Sequence, residues 1–412
     1  MMAAERLRLR LNGQKQDNKD RMMSTIQGYF DPRFELVREL FAEQQQDGQA
    51  RGAALCVTVG GETVLDLWQG VRDKDNQAVW EQDTLVNVFS CTKPLGAVAL
   101  LQQVAAGKLE LDAPLAAIWP EFAQAGKEAV TLRQILSHRS GLSAVSKTLP
   151  PEALFDWDAM SAALAAQEPW WTPGDEHGYA PVTYAWLLGE PLRRLTGQRP
   201  GQAIADSICE PLGMDFFIGV PDGDLERIAS VSRLRNQYGD EGARRLFGAM
   251  GQPDSMTAKA FGNPSSMMTS TNRREWQQAD ILSANGTGNA RSLARFWQLL
   301  AHDGQLDGVS LLDAELVKQM QQEHSAGDDN TLLCQTRFGL GVMLEHEGPG
   351  GSFGMGKNAF GHPGAGGSLG FCDPDAKVGF GYVTNTMGPY VLMDPRAVAL
   401  SQAVYRCLKA ID

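Results

Sequence analysis

The 412-residue chain lacks most of what would tie it to a membrane, a nucleic acid or a metal. No apolar run approaches the roughly 20 residues needed to span a bilayer. The formal net charge is -12, whereas nucleic acid or an anionic membrane asks for a positive surface. Neither is therefore expected as a partner. Cysteine is scarce: Cys56, Cys91, Cys209, Cys334, Cys372 and Cys407 lie far apart, with no C-x-x-C pair. They read as reduced, mostly buried thiols of a cytosolic protein rather than a disulfide framework. The six histidines show no H-E-x-x-H or related spacing, so no metal is expected. Residues 1–22 are polar and charged and lack the apolar core of a secretory signal. They read as a disordered leader, and the location that follows is cytoplasmic.

Against these absences stands one stretch, Val88-Phe89-Ser90-Cys91-Thr92-Lys93-Pro94. Among all serines of the chain, Ser90 alone has a lysine three positions on. The apolar run from Leu95 to Val104 predicts a buried helix ending near Gly107, with Ser90 and Lys93 in its first turn. Residues three apart share a helix face, so hydroxyl and amine point the same way. Free N–H groups and the positive end of the helix dipole favour negative charge developing on that serine. A serine nucleophile with a lysine base needs this arrangement.

The length fits two to three domains, and 43% hydrophobic with 21% charged residues is ordinary for a globular protein. Helical spacing of Phe34, Val37, Leu40 and Phe41 predicts a helix over 32–47. Two β-rich runs around Gly60-Gly61 predict a hairpin. From Leu109 to about Asn285, short helical runs alternate with Pro- and Gly-rich loops. There Val182 to Leu195 reads as a helix, with Pro181 at its first position, Gly197 at its end and a kink or split at Pro191. Beyond Asn289 come a helix over Leu293–Leu300, a strand over Phe338–Leu344, two strands flanking Asp373-Pro374-Asp375, and a last helix from about Arg396 to Lys409. The pattern is α/β in the α+β sense. An antiparallel sheet is built from both chain ends and flanked by N- and C-terminal helices, with a mostly helical domain inserted. The expected boundaries are 23–108 with 286–412 for the sheet domain and 109–285 for the helical one.

Three elements in order, Ser90-Cys91-Thr92-Lys93, then Gly178-Tyr179-Ala180, then His362-Pro363-Gly364, resemble the S-x-x-K, Y-x-N and K-T-G elements of serine β-lactamases and penicillin-binding proteins. Supporting phrases are Pro211-Leu212-Gly213-Met214-Asp215-Phe216-Phe217, Asn285-Gly286-Thr287-Gly288, and Gly364-Ala365-Gly366-Gly367-Ser368-Leu369-Gly370. The likeness, from about Gly52 onward, is nearest to esterases of class C β-lactamase fold, the family VIII carboxylesterases. It implies a β-lactamase/transpeptidase-like fold and an acyl-enzyme on Ser90. Tyr179 would bridge Ser90 and Lys93, and either Lys93 or Tyr179 would be the base. It also implies an oxyanion hole of the Ser90 and Ala365 backbone N–H groups, and a substrate pocket touching His362 and Gly364. No metal or organic cofactor is implied.

Two departures bear on the substrate. Pro181 stands where Y-x-N has asparagine, and His362 where K-T-G has lysine. Those residues would hold a β-lactam's amide and carboxylate, and a neutral ester needs neither. The reading is a carboxylesterase acting on short-chain esters, with at most weak β-lactamase activity. The alternatives are a β-lactamase or D-amino-acid peptidase, an acyltransferase using the same acyl-enzyme, and a non-catalytic scaffold. Tyr184, a rival to Tyr179, reads as packing within its helix, and His138 and Arg139 as loop braces. Ser368 matches G-x-S-x-G, but a Gly-bearing strand follows where that motif needs a helix. Gly351 to Asn358 nearly matches a phosphate-binding loop, lacks its Ser or Thr, and reads as a flexible loop that can border the pocket. The sequence leaves oligomeric state open.

Overall fold

The structure is a computed structural model. It describes residues 26–46, 49–73, 75, 77–232, 238–265, 267–348, 351–354 and 356–411, so the leader expected over 1–22 lies outside the described residues. The expected hairpin forms: β2 (Gly52–Val59) and β3 (Glu62–Asp73) are joined by Gly60 and Gly61 at φ 59° and 97°. A two-residue turn with both φ positive matches the right-handed twist of its strands, and glycine adopts it without steric cost. With β1 (Gln27–Phe30), β4 (Ser325–Asp328), β5 (Gln335–Phe338), β6 (Met343–Leu344), β7 (Phe360–Pro363), β8 (Leu369–Asp373) and β9 (Val378–Thr384), they form one antiparallel sheet. Its order is β1-β3-β2-β9-β8-β7-β6-β5-β4, and Ala78–Val79 adds a tenth strand on β3. The two chain ends meet where β2 pairs β9, with Leu55 opposite Tyr382 and Val57 opposite Phe380.

The helices used below are α1 (Glu35–Gln46), α2 (Lys93–Ala105), α3 (Tyr184–Thr196), α4 (Glu241–Met250), α5 (Met256–Gly262), α6 (Ala290–Ala301) and α7 (Pro395–Ile411). Side chains alternate across a strand, and β2 and β9 use both faces. Ala53, Leu55, Val57, Val378, Phe380 and Tyr382 pack with α1 and α7. Ala54, Cys56 and Val383 face the other way, into the core that holds α2, α3 and α6. Gly379 and Gly381 are glycines because α6 lies against them: a Cβ at Gly381 would stand 2.3 Å from Ala290 O. Among the described residues no helix is long and apolar enough to cross a membrane. The six cysteines are free thiols, all buried except the half-buried Cys334.

Three local expectations change. The run Phe338–Leu344 is not one strand, because Gly339–Val342 turns it back and pairs Phe338 with Met343. Gly341, at φ 75°, supplies the turn within an apolar stretch. The helix expected from Val182 begins at Tyr184, so Pro181 is not its first residue. Thr183 Oγ1 donates to Leu142 O, a long-range bond that holds the chain before the helix starts. Nor does Pro191 split α3, which runs unbroken to Gly197 in the left-handed conformation. Arg193 and Arg194 both pair with the buried carboxylate of Glu190 beside that proline.

Candidate active site

The strand Val86–Asn87 must turn sharply to enter α2. It does so through Phe89 at φ 48°, a left-handed conformation costly for a bulky side chain. The turn is held from several sides. Val88 N–H donates to Gly286 O at 2.8 Å, Gly286 N–H donates to Thr92 Oγ1 at 2.9 Å, and Thr92 Oγ1 donates to Phe89 O. Behind it, Thr287–Gly288 pairs with both Val86–Asn87 and Phe216–Phe217. The Pro211–Phe217 and Asn285–Gly288 phrases therefore back the Ser90 turn. Ser90 and Cys91 sit in a 3-10 turn, and the α-helix proper starts at Lys93. Ser90 is half-buried and opens on an apolar cavity beside it.

Lys93 is fully buried, and its Nζ makes three contacts: Ser283 O at 2.8 Å, Pro181 O at 3.2 Å and Ser90 Oγ at 3.2 Å. Burial holds its pKa well below the usual lysine value. A neutral amine has two N–H groups and one lone pair. The two carbonyls take both N–H groups, which leaves the lone pair for the Ser90 proton. On the other side of the serine, Tyr179 OH lies 2.7 Å from Ser90 Oγ. Burial pushes the Tyr179 phenol well above its usual pKa, so it is a protonated donor at rest.

Tyr179 is placed by groups that the sequence motifs did not point to. Its backbone N–H donates to both oxygens of the buried Asp329 carboxylate, at 3.1 and 3.0 Å. Asp329 also accepts from the N–H groups of Thr331 and Leu332, each at 2.8 Å. Nothing in Asp328-Asp329-Asn330 marks the middle residue as special. The His138 ring packs tilted against the Tyr179 ring, centroids 5.0 Å apart, and its Nδ1 accepts from Ala180 N–H. Arg139 donates to His324 O and Gly174 O, so both residues stand as braces of the neighbouring loops. Tyr184 is buried and donates to Leu136 O, away from Ser90.

Strand β7 completes the floor. Cys91 Sγ–H donates to His362 O at 3.2 Å, which ties the Ser90 turn to this strand. A Cβ at Gly364 would lie 2.2 Å from Val88 O, so only glycine allows the approach. Ala365 follows on the pocket surface, and among the described residues its N–H and that of Ser90 have no hydrogen-bond acceptor. Two free N–H groups beside the serine are what an oxyanion needs. Arg396 fixes this loop from behind, donating to Gly366 O at 2.7 Å while paired with Asp394. His362 is 1% exposed and lines the pocket 5.9 Å from the Tyr179 ring.

The walls are apolar. Leu246, Phe247 and Met250 of α4 and Phe261 of α5 form one, and Met387, Tyr390 and Leu392 form another. Among the described residues no Lys, Arg, Asp or Glu lines the cavity. The decoys stay outside it. Ser368 is buried at the entry to β8, its carbonyl accepting from Gly364 N–H. The described part of Gly351–Asn358 lies away from the pocket: Phe353 packs on Phe371 and accepts from Ser401.

Residues 37–403 match the beta-lactamase family model. The esterase/beta-lactamase LipL of Mycobacterium tuberculosis is 30% identical over 371 residues, 89% of this chain and 85% of LipL. A penicillin-binding protein homologue from Caulobacter crescentus superposes with a TM-score of 0.84 at 40% identity, covering 93% of this chain and 100% of its own. A family VIII carboxylesterase superposes at 0.83 with 35% identity and the same coverage. The chain belongs to the beta-lactamase family and has the fold of its serine hydrolases.

Proposed function

We propose that this protein is a carboxylesterase that cleaves short-chain, uncharged esters through an acyl-Ser90 intermediate. The observation that carries the reading is the fully buried Lys93 amine, with its Nζ in hydrogen-bond reach of two backbone carbonyls and of Ser90 Oγ. Lys93 takes the Ser90 proton as Oγ attacks the ester carbonyl. The resulting oxyanion sits on the N–H groups of Ser90 and Ala365. Tyr179 gives its proton to the leaving alkoxide and becomes a phenolate, stabilised by the new Lys93 ammonium, whose nitrogen lies 4.7 Å from the phenol ring. In deacylation the phenolate takes a proton from water, the hydroxide attacks the acyl group, and Ser90 leaves with the proton of Lys93. Both side chains end as they began.

The esterase names of LipL and the family VIII neighbour support ester chemistry. The pocket disfavours a β-lactam carboxylate, because no cation among the described residues lines it. The test is hydrolysis of p-nitrophenyl esters of rising chain length, run beside nitrocefin. Short esters should turn over with wild type and with Ser368→Ala, and not with Ser90→Ala. Nitrocefin should be a poor substrate. Faster turnover of nitrocefin than of any ester would move the assignment to a β-lactamase. An acyltransferase would instead give mainly transfer product when an alcohol is added.

A further inference from the structure

His362 carries a buried polar atom that no group among the described residues satisfies. Its Nδ1 lies 2.8 Å from Pro363 O. A carbonyl only accepts, so Nδ1 holds the ring proton and Nε2 presents a lone pair. Among the described residues no donor reaches Nε2, although the side chain is 1% exposed and lines the cavity. Burial, and next the nearby Lys93, lower the imidazole pKa to about 3. The ring therefore stays neutral, and Nε2 an acceptor, over the whole range in which an esterase works. Buried polar groups are ordinarily paired, and one left unpaired on a side chain that lines a ligand cavity is a place for a donor on the ligand, reached by a small shift of the ring.

The half of the ester that meets this acceptor follows from its neighbour. The His362 ring lies beside Tyr179, with centroids 5.9 Å apart. On the acyl-Ser90 reading, on which this inference rests, Tyr179 protonates the leaving alkoxide. The alcohol half of the substrate must then lie on the Tyr179 side of Ser90, and so beside His362. The donor must also be uncharged, since among the described residues no carboxylate lines the cavity to pair a cation. We propose that the pocket selects esters of small alcohols bearing a second hydroxyl, such as a glycol or glycerol monoester, with that hydroxyl donating a hydrogen bond to His362 Nε2.

The test compares 2-hydroxyethyl butanoate with 2-methoxyethyl butanoate, its methyl ether, by titrating released acid. Wild type should favour the hydroxyl ester in kcat/KM by about tenfold, the size of one hydrogen bond set against an unpaired acceptor. In His362→Phe the ratio of the two substrates should fall to about one, whatever the absolute rates. His362→Gln, whose amide oxygen can accept, should keep part of the preference. Equal turnover of the two esters by wild type overturns the inference without reference to any variant, and so does a tenfold ratio that persists in His362→Phe. Loss of p-nitrophenyl butyrate hydrolysis as a wild-type property, or its survival in Ser90→Ala, would instead remove the acyl-Ser90 reading and this inference with it.

Discussion

The floor of the pocket and its walls are built by different rules. On the floor the polar groups that set the geometry are held by hydrogen bonds: Lys93 Nζ by two carbonyls and a hydroxyl, the Tyr179 N–H by Asp329, the Ser90 turn by Gly286 and Thr92. On the walls Phe247, Met250, Phe261 and Met387 offer only apolar surface. Chemistry needs groups held to a fraction of an ångström, which packing and hydrogen bonds provide. Accommodating an acyl chain needs only shape and dryness. Substitutions on the floor should therefore act on kcat and by large factors, and those on the walls on KM and by small ones.

The largest effect is expected at Ser90. Ser90→Ala should cost roughly 10⁴-fold or more in kcat for p-nitrophenyl butyrate, as loss of a nucleophile does. Next come its two partners. Lys93→Met and Tyr179→Phe should each lower kcat by about 10² to 10⁴-fold with KM little changed, the usual worth of a proton-transfer group. A mainly KM effect at either position would break the contrast. The pH profile sharpens it further. On the proposed mechanism Lys93 accepts the Ser90 proton as the neutral amine, so kcat/KM should fall as pH drops through its lowered pKa. No transition should come from His362, held down to about 3.

Gly364→Ala tests the seam between strand β7 and the Ser90 turn. Its Cβ would meet Val88 O at 2.2 Å, so backbone must move. Overpacking of this kind costs about 1–3 kcal/mol, visible as a lower Tm, and activity should fall with it as the Ala365 N–H is displaced. The smallest effect is expected on the wall. Phe247→Ala should change KM by less than about tenfold, shift the preferred acyl length upward and leave kcat nearly intact. A hundredfold loss of kcat there would show that the walls take part in the chemistry.

The same division explains what the sequence disclosed. The Ser90–Lys93 spacing, the Gly60-Gly61 hairpin and the alternation of Val378 to Val383 are local patterns of period 3.6 or 2, and local patterns are legible. The order of Ser90, Tyr179 and His362 then pointed to the family. What stayed hidden is non-local or lacks a side-chain mark. Lys93 is held by the carbonyls of Pro181 and Ser283, and a carbonyl is the same at every residue. Asp329 reaches Tyr179 across 150 positions of sequence. The turn at Gly339–Val342 sits inside a run apolar enough to read as one strand. The walls come from α4, α5 and the segment after β9, which have no motif at all.

The central claim is that Ser90 carries the acyl group, and mass spectrometry of the labelled protein tests it most directly. After brief exposure to a fluorophosphonate, the account predicts one equivalent of added mass on the peptide that contains Ser90, and none on that peptide in Ser90→Ala. Labelling of the Ser368 peptide, or an unlabelled Ser90 in active protein, would contradict it.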